Sequence, residues 1–302
     1  NQRSAIVALR TAQAMFGRVS ESGIVVTLID GTYELFRAFY GAPSSLTSDG
    51  REVGASRTLL RSFEAFLREP TSTHVAVAFD TVIESFRNQL FAGYKTGEGI
   101  DPALWAQFPL AERVTRALGM VTWSMIDFEA DDALATFAAR AFPDERVAQV
   151  RIASPDKDLC QCVRGTKVVS YDRKKQLVTD EAGVIARLGV PPAQVPALLA
   201  LRGDTADGIP GIPRWGEKSA QALLNRYGSL AAIPDDPADW DVNVRGKDAL
   251  ARELAGRREA AALYETLATL RCDVPLTETL DDLRYRGPVE SDMPKLRAEL
   301  EL

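Results

Sequence analysis

The hydrophobic pattern begins with short apolar runs that each lead into an aspartate. Three runs with their aspartates are residues 24–29 with Asp30, residues 74–79 with Asp80, and residues 150–154 with Asp156. Apolar runs of this length, separated by helical patterns, are typical of buried strands in a mostly parallel sheet. Ligands bind beyond the carboxyl ends of such strands. The sequence therefore predicts an α/β fold with a mostly parallel central sheet flanked by helices.

Helical periodicity lies between the first two predicted strands. Its apolar positions are Leu59, Leu60, Phe63, Phe66 and Leu67. Because a crossover helix connects parallel strands, this pattern supports the parallel arrangement. A fourth apolar element, residues 120–123, precedes a second helical pattern through Leu134 and Phe137.

Acidic residues crowd the start of that second helix, where Glu129, Asp131 and Asp132 fall within four positions. One acidic residue there needs no special role, because it complements the helix dipole and caps free N–H groups. Three of them beside strand-end aspartates repel one another unless a cation lies among them. We interpret the cluster as part of a metal site, with helix capping as the alternative.

Two further acidic pairs, at 156 and 158 and at 204 and 207, extend the candidate site, because each pair can share one side of its segment. The nine candidate metal ligands are Asp30, Asp80, Glu129, Asp131, Asp132, Asp156, Asp158, Asp204 and Asp207. Oxygen ligands of this kind favour Mg²⁺ or Mn²⁺, which commonly bind substrate phosphate as well. Calcium storage is disfavoured, because no twelve-residue Ca²⁺ loop pattern occurs.

Composition and charge restrict the remaining possibilities. The chain has one histidine and three cysteines, so a four-ligand His/Cys zinc site would need all of them, and we exclude such a site. No apolar run reaches the roughly 20 residues that a membrane span needs. No secretory pattern opens the chain, so we expect a reducing cytoplasm. The net charge of −6, from 36 Lys and Arg against 42 Asp and Glu, at first argues against nucleic acid. Without the nine candidate ligands, however, the chain is mildly basic.

A segment rich in glycine and proline separates two helical patterns in the second half of the chain, over residues 203–227. Two helices joined by tight turns present backbone N–H groups at a helix N-terminus, which suits phosphate without reading base sequence. The candidate phosphate-binding residues are Gly208, Gly211, Arg214, Gly216, Lys218 and Arg226. A purely structural helical hairpin is the alternative.

These motifs resemble those of the 5′-nuclease family, which includes the N-terminal exonuclease domain of bacterial DNA polymerase I and the flap endonucleases. The segments that carry the resemblance are Ile-Asp-Gly at 29–31, Arg-Ala-Phe at 37–39, Phe-Asp at 79–80, Ser-Phe-Arg at 85–87, Tyr-Lys at 94–95, Glu-Ala-Asp-Asp at 129–132, Asp-Lys-Asp-Leu at 156–159, and Gly-Asp at 203–204 through Gly-Glu-Lys at 216–218. We expect a stand-alone bacterial relative of the polymerase domain, and an excised domain is the alternative.

The resemblance implies a PIN-like nuclease core, a mobile helical arch and a C-terminal helix-hairpin-helix subdomain that binds DNA. We expect an N-terminal extension in residues 1–22, where a weak helical stripe occurs. The core is expected in residues 23–190, with the arch at about residues 87–117. The helix-hairpin-helix and a C-terminal helical region are expected in residues 191–302.

By the same resemblance, two metal ions divide the acidic residues. The first would be held by Asp30, Asp80, Glu129 and Asp131, with Asp132 in the same cluster, and the second by Asp156, Asp158, Asp204 and Asp207. Two ions about 4 Å apart orient an attacking water and stabilise the leaving oxygen of a phosphodiester. The family also suggests K⁺ on backbone carbonyls near residues 208–216.

The resemblance further suggests cations that act on the substrate. Arg87 and Lys95 are expected to grip the scissile phosphate, and Arg37 is a similar candidate beside the first strand-end aspartate. A solvated basic face is the alternative. Phe36 is expected either to stack on a nucleobase or to lie in the core. Glu98 stands where family members usually have an arginine, which replaces one phosphate-binding cation with an anion.

The expected function is that of a structure-specific 5′-nuclease, a flap endonuclease and 5′-3′ exonuclease that trims DNA during replication and repair. The expected partner is DNA with 5′ flaps or 5′ ends, together with a DNA polymerase and a ligase, in a bacterial cytoplasm near the nucleoid. One alternative is a branched-DNA binding protein that does not cut. A second is an RNA-directed nuclease of the PIN type.

Overall fold

The computed structural model describes residues 23–69 and 73–302 and contains one six-stranded sheet. The strands are β1 (Ile24–Asp30), β2 (His74–Asp80), β3 (Val121–Met125), β4 (Val147–Ala153), β5 (Val168–Asp172) and β6 (Leu177–Thr179). Their order is β3-β2-β1-β4-β5-β6, and every described pair is parallel except β5 with β6. The predicted mostly parallel α/β sheet is confirmed. The extension predicted for residues 1–22 lies outside the described residues.

Helices cover both faces of the sheet. Those before β4 are α1 (Gly31–Gly41), α2 (Gly54–Leu67), α3 (Phe86–Leu90), α4 (Pro102–Trp105), α5 (Phe108–Ala117) and α6 (Ala130–Ala141). One apolar cluster joins Ile29 and Val77 of the strands to α1, α2 and α5. The cluster on the opposite face joins Leu28 and Ala76 to α6. Because successive strand residues point to opposite faces, two covered faces require the continuous apolar runs seen in the sequence.

The register of the sheet brings the strand-end aspartates to one edge. Asp30 pairs with Ala78, two residues before Asp80. Ile29 pairs with Ala153, the last residue of β4. The carboxyl ends of β1, β2 and β4 therefore meet, and the chain beyond each strand starts from the same place.

A second apolar core forms around the helices that follow β6. They are α7 (Glu181–Leu188), α8 (Val195–Arg202), α9 (Glu217–Tyr227), α10 (Lys247–Ala255) and α11 (Arg258–Ala268). Trp215 and Trp240 meet edge to face in this core, with ring centroids 6.1 Å apart. Among the described residues, no single helix is long and apolar enough to cross a membrane, although the bent pair 181–188 and 192–202 passes on length and composition alone.

The last thirty residues return to the sheet. Leu280 and Leu283 join the apolar cluster on the α6 face, and His74 forms an isolated bridge with Arg284. Helix α12 (Met293–Glu299) adds Leu296 to the opposite cluster. Within residues 191–302, where a helix-hairpin-helix and a C-terminal helical region are predicted, the end of the chain thus helps to fill the core built by its beginning.

Candidate active site

Four carboxylates lie together at the carboxyl edge of the sheet, and we call Asp30, Asp80, Asp131 and Asp156 the edge group. Asp30 ends β1, and its Oδ1 accepts a hydrogen bond from the backbone N–H of Tyr33 at 2.8 Å. Asp80 ends β2, and its Oδ1 accepts from the backbone N–H of Ala130 at 2.7 Å. Strand ends and a helix start thus place these side chains.

The electrostatics of the edge group favour a bound cation. Burial raises the pKa of Asp30 to about 7, with Asp80 and Asp156 adding to the increase. Burial, followed by the charges of Asp30 and Asp156, raises the pKa of Asp131 well above its usual range. Burial also raises the pKa of Asp80. Carboxylates that raise one another's pKa in this way are stabilised by a positive charge placed among them.

A second acidic cluster lies beside the first, and we call Asp158, Asp204 and Asp207 the hairpin group. Each can offer one oxygen such that the three oxygens lie within 4.8 Å of one another. Burial, followed by the charges of Asp156 and then Asp207, raises the pKa of Asp158 to about 9. Its buried Oδ1 has no hydrogen-bond partner. An orphaned carboxylate oxygen among oxygen ligands fits a hard divalent cation such as Mg²⁺ or Mn²⁺.

Two lysines lie among these carboxylates. The Nζ of Lys95 is 2.7 Å from Glu129 Oε2 and 3.0 Å from Asp207 Oδ1. The Nζ of Lys157 is 2.6 Å from Asp204 Oδ2. Burial lowers the pKa of Lys95, but the acidic groups around it, Glu129 foremost and then Asp207 and Asp80, together outweigh burial and hold this pKa well above its usual range. Lys95 is therefore a fixed cation within the site, and its contact with phosphate stays a prediction.

Arg87, the predicted contact of the scissile phosphate, lies inside the protein. Its side chain is buried, with 1% of the residue exposed. Nε donates to the carbonyl oxygen of Leu267 at 2.8 Å, and Nη2 donates to that of Thr269 at 3.0 Å. The remaining N–H groups donate to Glu129 and Asp132 at 2.7 to 2.9 Å. All five donors are used inside the protein, so the prediction that Arg87 grips the scissile phosphate is wrong for this arrangement.

The metal-ligand prediction for Asp132 is also wrong, because its carboxylate is saturated. Oδ1 accepts from Arg87 Nη2 and from the backbone N–H of Arg271, both at 2.8 Å. Oδ2 accepts from Arg87 Nη1 at 2.7 Å and from the backbone N–H of Glu129 at 3.1 Å. Glu129 Oε1 in turn accepts from Ser85 Oγ and Arg87. We call Arg87, Glu129 and Asp132 the arginine network.

The segment predicted as a mobile helical arch, at about residues 87–117, contains most of α3 and all of α4 and α5. Its last third is α5, whose apolar side chains are buried in the core, so the arch prediction is wrong for residues 108–117. Within residues 91–101, Tyr94 is buried, and its hydroxyl donates to Glu129 Oε2 at 3.3 Å. Glu98 is exposed. The middle of the segment is thus anchored at the site.

Two predicted residues lie on α1. Arg37 pairs with Glu34, keeps 35% of its side chain exposed and lines a cavity beside Ser154. Phe36 is half-buried, and its ring meets that of Phe108 edge to face at 6.2 Å. The core alternative is therefore favoured for Phe36, and stacking on a base stays a prediction.

The glycine-rich segment joins α8 to α9 as predicted. Asp204 and Ile209 exchange backbone hydrogen bonds of 2.8 Å, which closes the hairpin. Gly208 has φ +73°, and a Cβ there would lie 2.2 Å from the carbonyl oxygen of Gly93, so only glycine fits this close approach. The helix-hairpin-helix is therefore present and packs against the loop that carries Lys95.

The predicted phosphate-binding residues of the hairpin fall in two places. Gly216 caps the N-terminus of α9, and Arg214 and Lys218 are exposed beside it. Gly211, at φ +72°, lies in the turn before them. Arg226 lies in the last turn of α9, about 15 Å farther along the axis. There it donates two hydrogen bonds to Asp241 at 2.7 and 2.8 Å, so placing Arg226 at the helix start was wrong.

Hydroxyl groups that orient the carboxylates were missed in the sequence. Ser154 Oγ donates to Asp30 Oδ2 at 2.9 Å, and Ser85 Oγ donates to Glu129 at 2.8 Å. Thr32 Oγ1 accepts from the backbone N–H of Asp80 at 2.8 Å. Each hydroxyl lies within two residues of a strand end or at the N-cap of a helix, a signal that could have identified it.

A mostly parallel sheet with an acidic carboxyl edge, a second carboxylate cluster and a helix-hairpin-helix thus lie side by side in this chain. The chain belongs to the 5′-3′ exonuclease family. Residues 25–189 match the family's N-terminal resolvase-like domain, and residues 190–291 match its C-terminal SAM fold. The resemblance found in the sequence is thereby confirmed.

Curated relatives include two bacterial DNA polymerases I. That of Mycobacterium leprae (strain TN) is 38% identical over 271 residues, which are 87% of this chain and 28% of the relative. That of Bacillus caldotenax is 33% identical over 285 residues, which are 91% of this chain and 31% of the relative. The chain thus spans about three-tenths of the length of these relatives.

Solved structures share the fold over most of the chain. T5 5′-exonuclease with bound zinc matches with a TM-score of 0.65 and 18% identity, over 92% of this chain and 98% of that one. The catalytic core of Rad2 in complex with DNA substrate matches with a TM-score of 0.57 and 14% identity, over 94% and 89%. At these identities the likeness establishes the α/β nuclease fold with its helical C-terminal part.

Proposed function

We propose that this chain is a structure-specific 5′-nuclease that hydrolyses phosphodiester bonds of DNA at 5′ flaps and 5′ ends. The observation that carries the proposal is the orphaned oxygen of Asp158 in the hairpin group, directly beside the edge group. Two adjoining clusters of oxygen ligands suit two divalent ions. The same activity follows from the family, and T5 5′-exonuclease and Rad2 share the fold.

The edge group would hold one ion and the hairpin group the other. Bound Mg²⁺ or Mn²⁺ supplies a water of lowered pKa and neutralises charge on the phosphate. Ser154 and the backbone N–H of Tyr33 fix both oxygens of Asp30 in advance. Lys95 Nζ, which contacts Glu129 and Asp207 of the hairpin group, would offer positive charge to the phosphate. The buried arginine network keeps Glu129 fixed beneath Lys95.

Cleavage of a labelled 5′-flap DNA in Mg²⁺ and in Mn²⁺ tests this proposal. We expect Asp131→Ala to lower kcat at least a hundredfold, because it removes a carboxylate from the edge group. Asp248→Asn, a change at an exposed position in α10, is the matched control and should leave kcat unchanged. An uncut flap, or equal cutting by Asp131→Ala and wild type, contradicts the proposal.

The same assay separates the alternatives. Tight binding of flap DNA without cutting would identify a branched-DNA binding protein, and preferential cutting of a matched RNA flap would identify an RNA-directed nuclease. Replacement of K⁺ by a larger cation tests the predicted site near residues 208–216, because DNA affinity should fall. Cooperation with a DNA polymerase and a ligase in the cytoplasm of a bacterium is also part of the proposal.

A further inference from the structure

A cavity of about 320 Å³ opens beside the edge group, and we call it the basic pocket. Its principal lining residues are Tyr33, Arg37, Ser154, Arg173, Lys174 and Lys175. It lies between α1 and the turn that connects β5 to β6. Its volume is in the range of sites for small ligands or single groups of larger ones.

The charge of the basic pocket is positive. Four cationic side chains line it, and the two carboxylates among its lining residues are Glu34 and Asp172. Glu34 is buried and pairs with Arg37 and Arg173, while Lys175 Nζ is 3.1 Å from Asp172. Lys174 is exposed, and none of the ion pairs found among the described residues includes it. The pocket is therefore suited to an anion.

Buried donors in the basic pocket lack partners. The side chain of Arg173 is 9% exposed and packs over the rings of Phe63 and Phe66, at 4.9 and 4.7 Å from their centroids. Its Nε has no hydrogen-bond partner, and neither has the buried Nε of Arg37. Leaving such groups unpaired is costly. Both arginines line the pocket, and guanidinium groups bind a phosphate anion well.

The position of the basic pocket ties it to the nuclease site. Ser154 lines the pocket and also donates to Asp30 of the edge group. Tyr33, which is 37% exposed, also lines the pocket, and its backbone N–H donates to the same aspartate. Lys95 pairs with Glu129 at the start of α6, whereas the pocket lies on the β5 side of β1. A DNA strand that passes Lys95 and reaches the edge group can therefore continue into the pocket.

We propose that the basic pocket binds a backbone phosphate of the DNA, one to three nucleotides from the bond that is cut, with Tyr33 against the adjoining sugar or base. The proposal rests on the proposed function. The pocket thus serves as a subsite that fixes the register of the strand over the edge group. Lys174 and Lys175 supply mobile charge, and Arg37 and Arg173 supply fixed charge.

A phosphate-by-phosphate scan tests this subsite. Single phosphates of a 5′-flap DNA are replaced with neutral methylphosphonates near the cleaved bond, and affinity is measured by fluorescence anisotropy. All proteins carry Asp131→Asn, so that the DNA stays intact. The double variant Lys174→Ala/Lys175→Ala is compared with Lys295→Ala, which removes an exposed lysine from α12. Arg173 is left in place because its side chain packs in the core.

In the protein that carries Asp131→Asn alone, one methylphosphonate within three nucleotides of the cut should weaken binding about fivefold to tenfold. The double variant should weaken binding of unmodified DNA by a similar factor, lower the salt slope by about one to two, and lose less affinity at that methylphosphonate than the protein that keeps both lysines. Equal profiles for the double variant and Lys295→Ala overturn the subsite. If wild-type protein fails to cut DNA while the scan still gives this coupling, the proposed function fails and the subsite stands.

Discussion

The arginine network and the hairpin group are two carboxylate clusters that differ in whether their oxygens have hydrogen-bond partners. In the network, every N–H of Arg87 and both oxygens of Asp132 are paired. In the hairpin group, one oxygen of Asp158 has no partner, and its pKa is raised by burial to about 9. Carboxylates whose oxygens are all paired connect parts of the fold. Carboxylates with unpaired oxygens repel one another, and a bound cation relieves that repulsion.

The largest expected effect comes from breaking the saturated cluster. Arg87→Met removes the cation that pairs with Glu129 and Asp132 and leaves Asp132 buried without a counter-charge. We expect a loss of about 3–5 kcal/mol in the free energy of unfolding, measured by chemical denaturation. Arg271→Met is the control, because Arg271 reaches Asp132 through its backbone and its side chain is half-exposed. An unfolding midpoint for Arg87→Met equal to that of the control would remove the distinction between the clusters.

Adding metal tests the unsaturated cluster directly. Saturating Mg²⁺ or Mn²⁺ should stabilise the wild type by about 2.7 kcal/mol at a hundredfold excess over Kd, measured by thermal unfolding. Asp204→Asn should lower this gain, because it removes one oxygen charge from the hairpin group. Asp248→Asn should keep the full gain. An unchanged gain in Asp204→Asn would show that the hairpin group binds no ion.

Without metal, the two clusters should respond to neutralisation with opposite signs. The carboxyl of Asp158 binds its proton more tightly when folded, so the free energy of unfolding of the wild type falls as pH rises from about 4 to about 9. Asp158→Asn lacks this loss and should be about 1–2 kcal/mol more stable than wild type near neutral pH. Asp132→Asn should instead destabilise, because Arg87 loses a charged partner. Urea unfolding in EDTA across this pH range measures both, and equal signs would refute the comparison.

The smallest effect is expected at Arg226, which is paired but exposed. Its ion pair with Asp241 is solvated, so Arg226→Ala should leave the unfolding midpoint within error of wild type. Flap affinity should change less than twofold, whereas Lys218→Ala, beside the start of α9, should weaken it about fivefold. Fluorescence anisotropy at fixed salt measures both flap affinities. A larger effect for Arg226→Ala than for Lys218→Ala would show that Arg226 contacts DNA.

Local patterns in the sequence predicted β1 to β4, the parallel sheet, the start of α6 and the helical hairpin, because each depends on neighbouring residues. They did not predict β5 and β6. The direction of the Asp132 side chain follows from helix geometry, because adjacent residues of a helix point about 100° apart. Asp131 can therefore join the edge group while Asp132 turns inward. The partners of Arg87 include two carbonyls about 180 residues away, which no local pattern reveals. The placement of Arg226 could have been corrected from the helical rise alone.

The return of residues 280–300 to the sheet has a consequence for how the protein is made. Leu296 and Leu300 fill the core on one face of a sheet whose first strand begins at Ile24. A ribosome releases the chain from its N-terminus, so the first strands emerge long before the residues that cover them. The earlier helices α1, α2 and α5 cover most of this face, but the cluster is complete only once residues 296–300 have left the ribosome. Until then the part of the apolar face under Leu296 and Leu300 stays exposed.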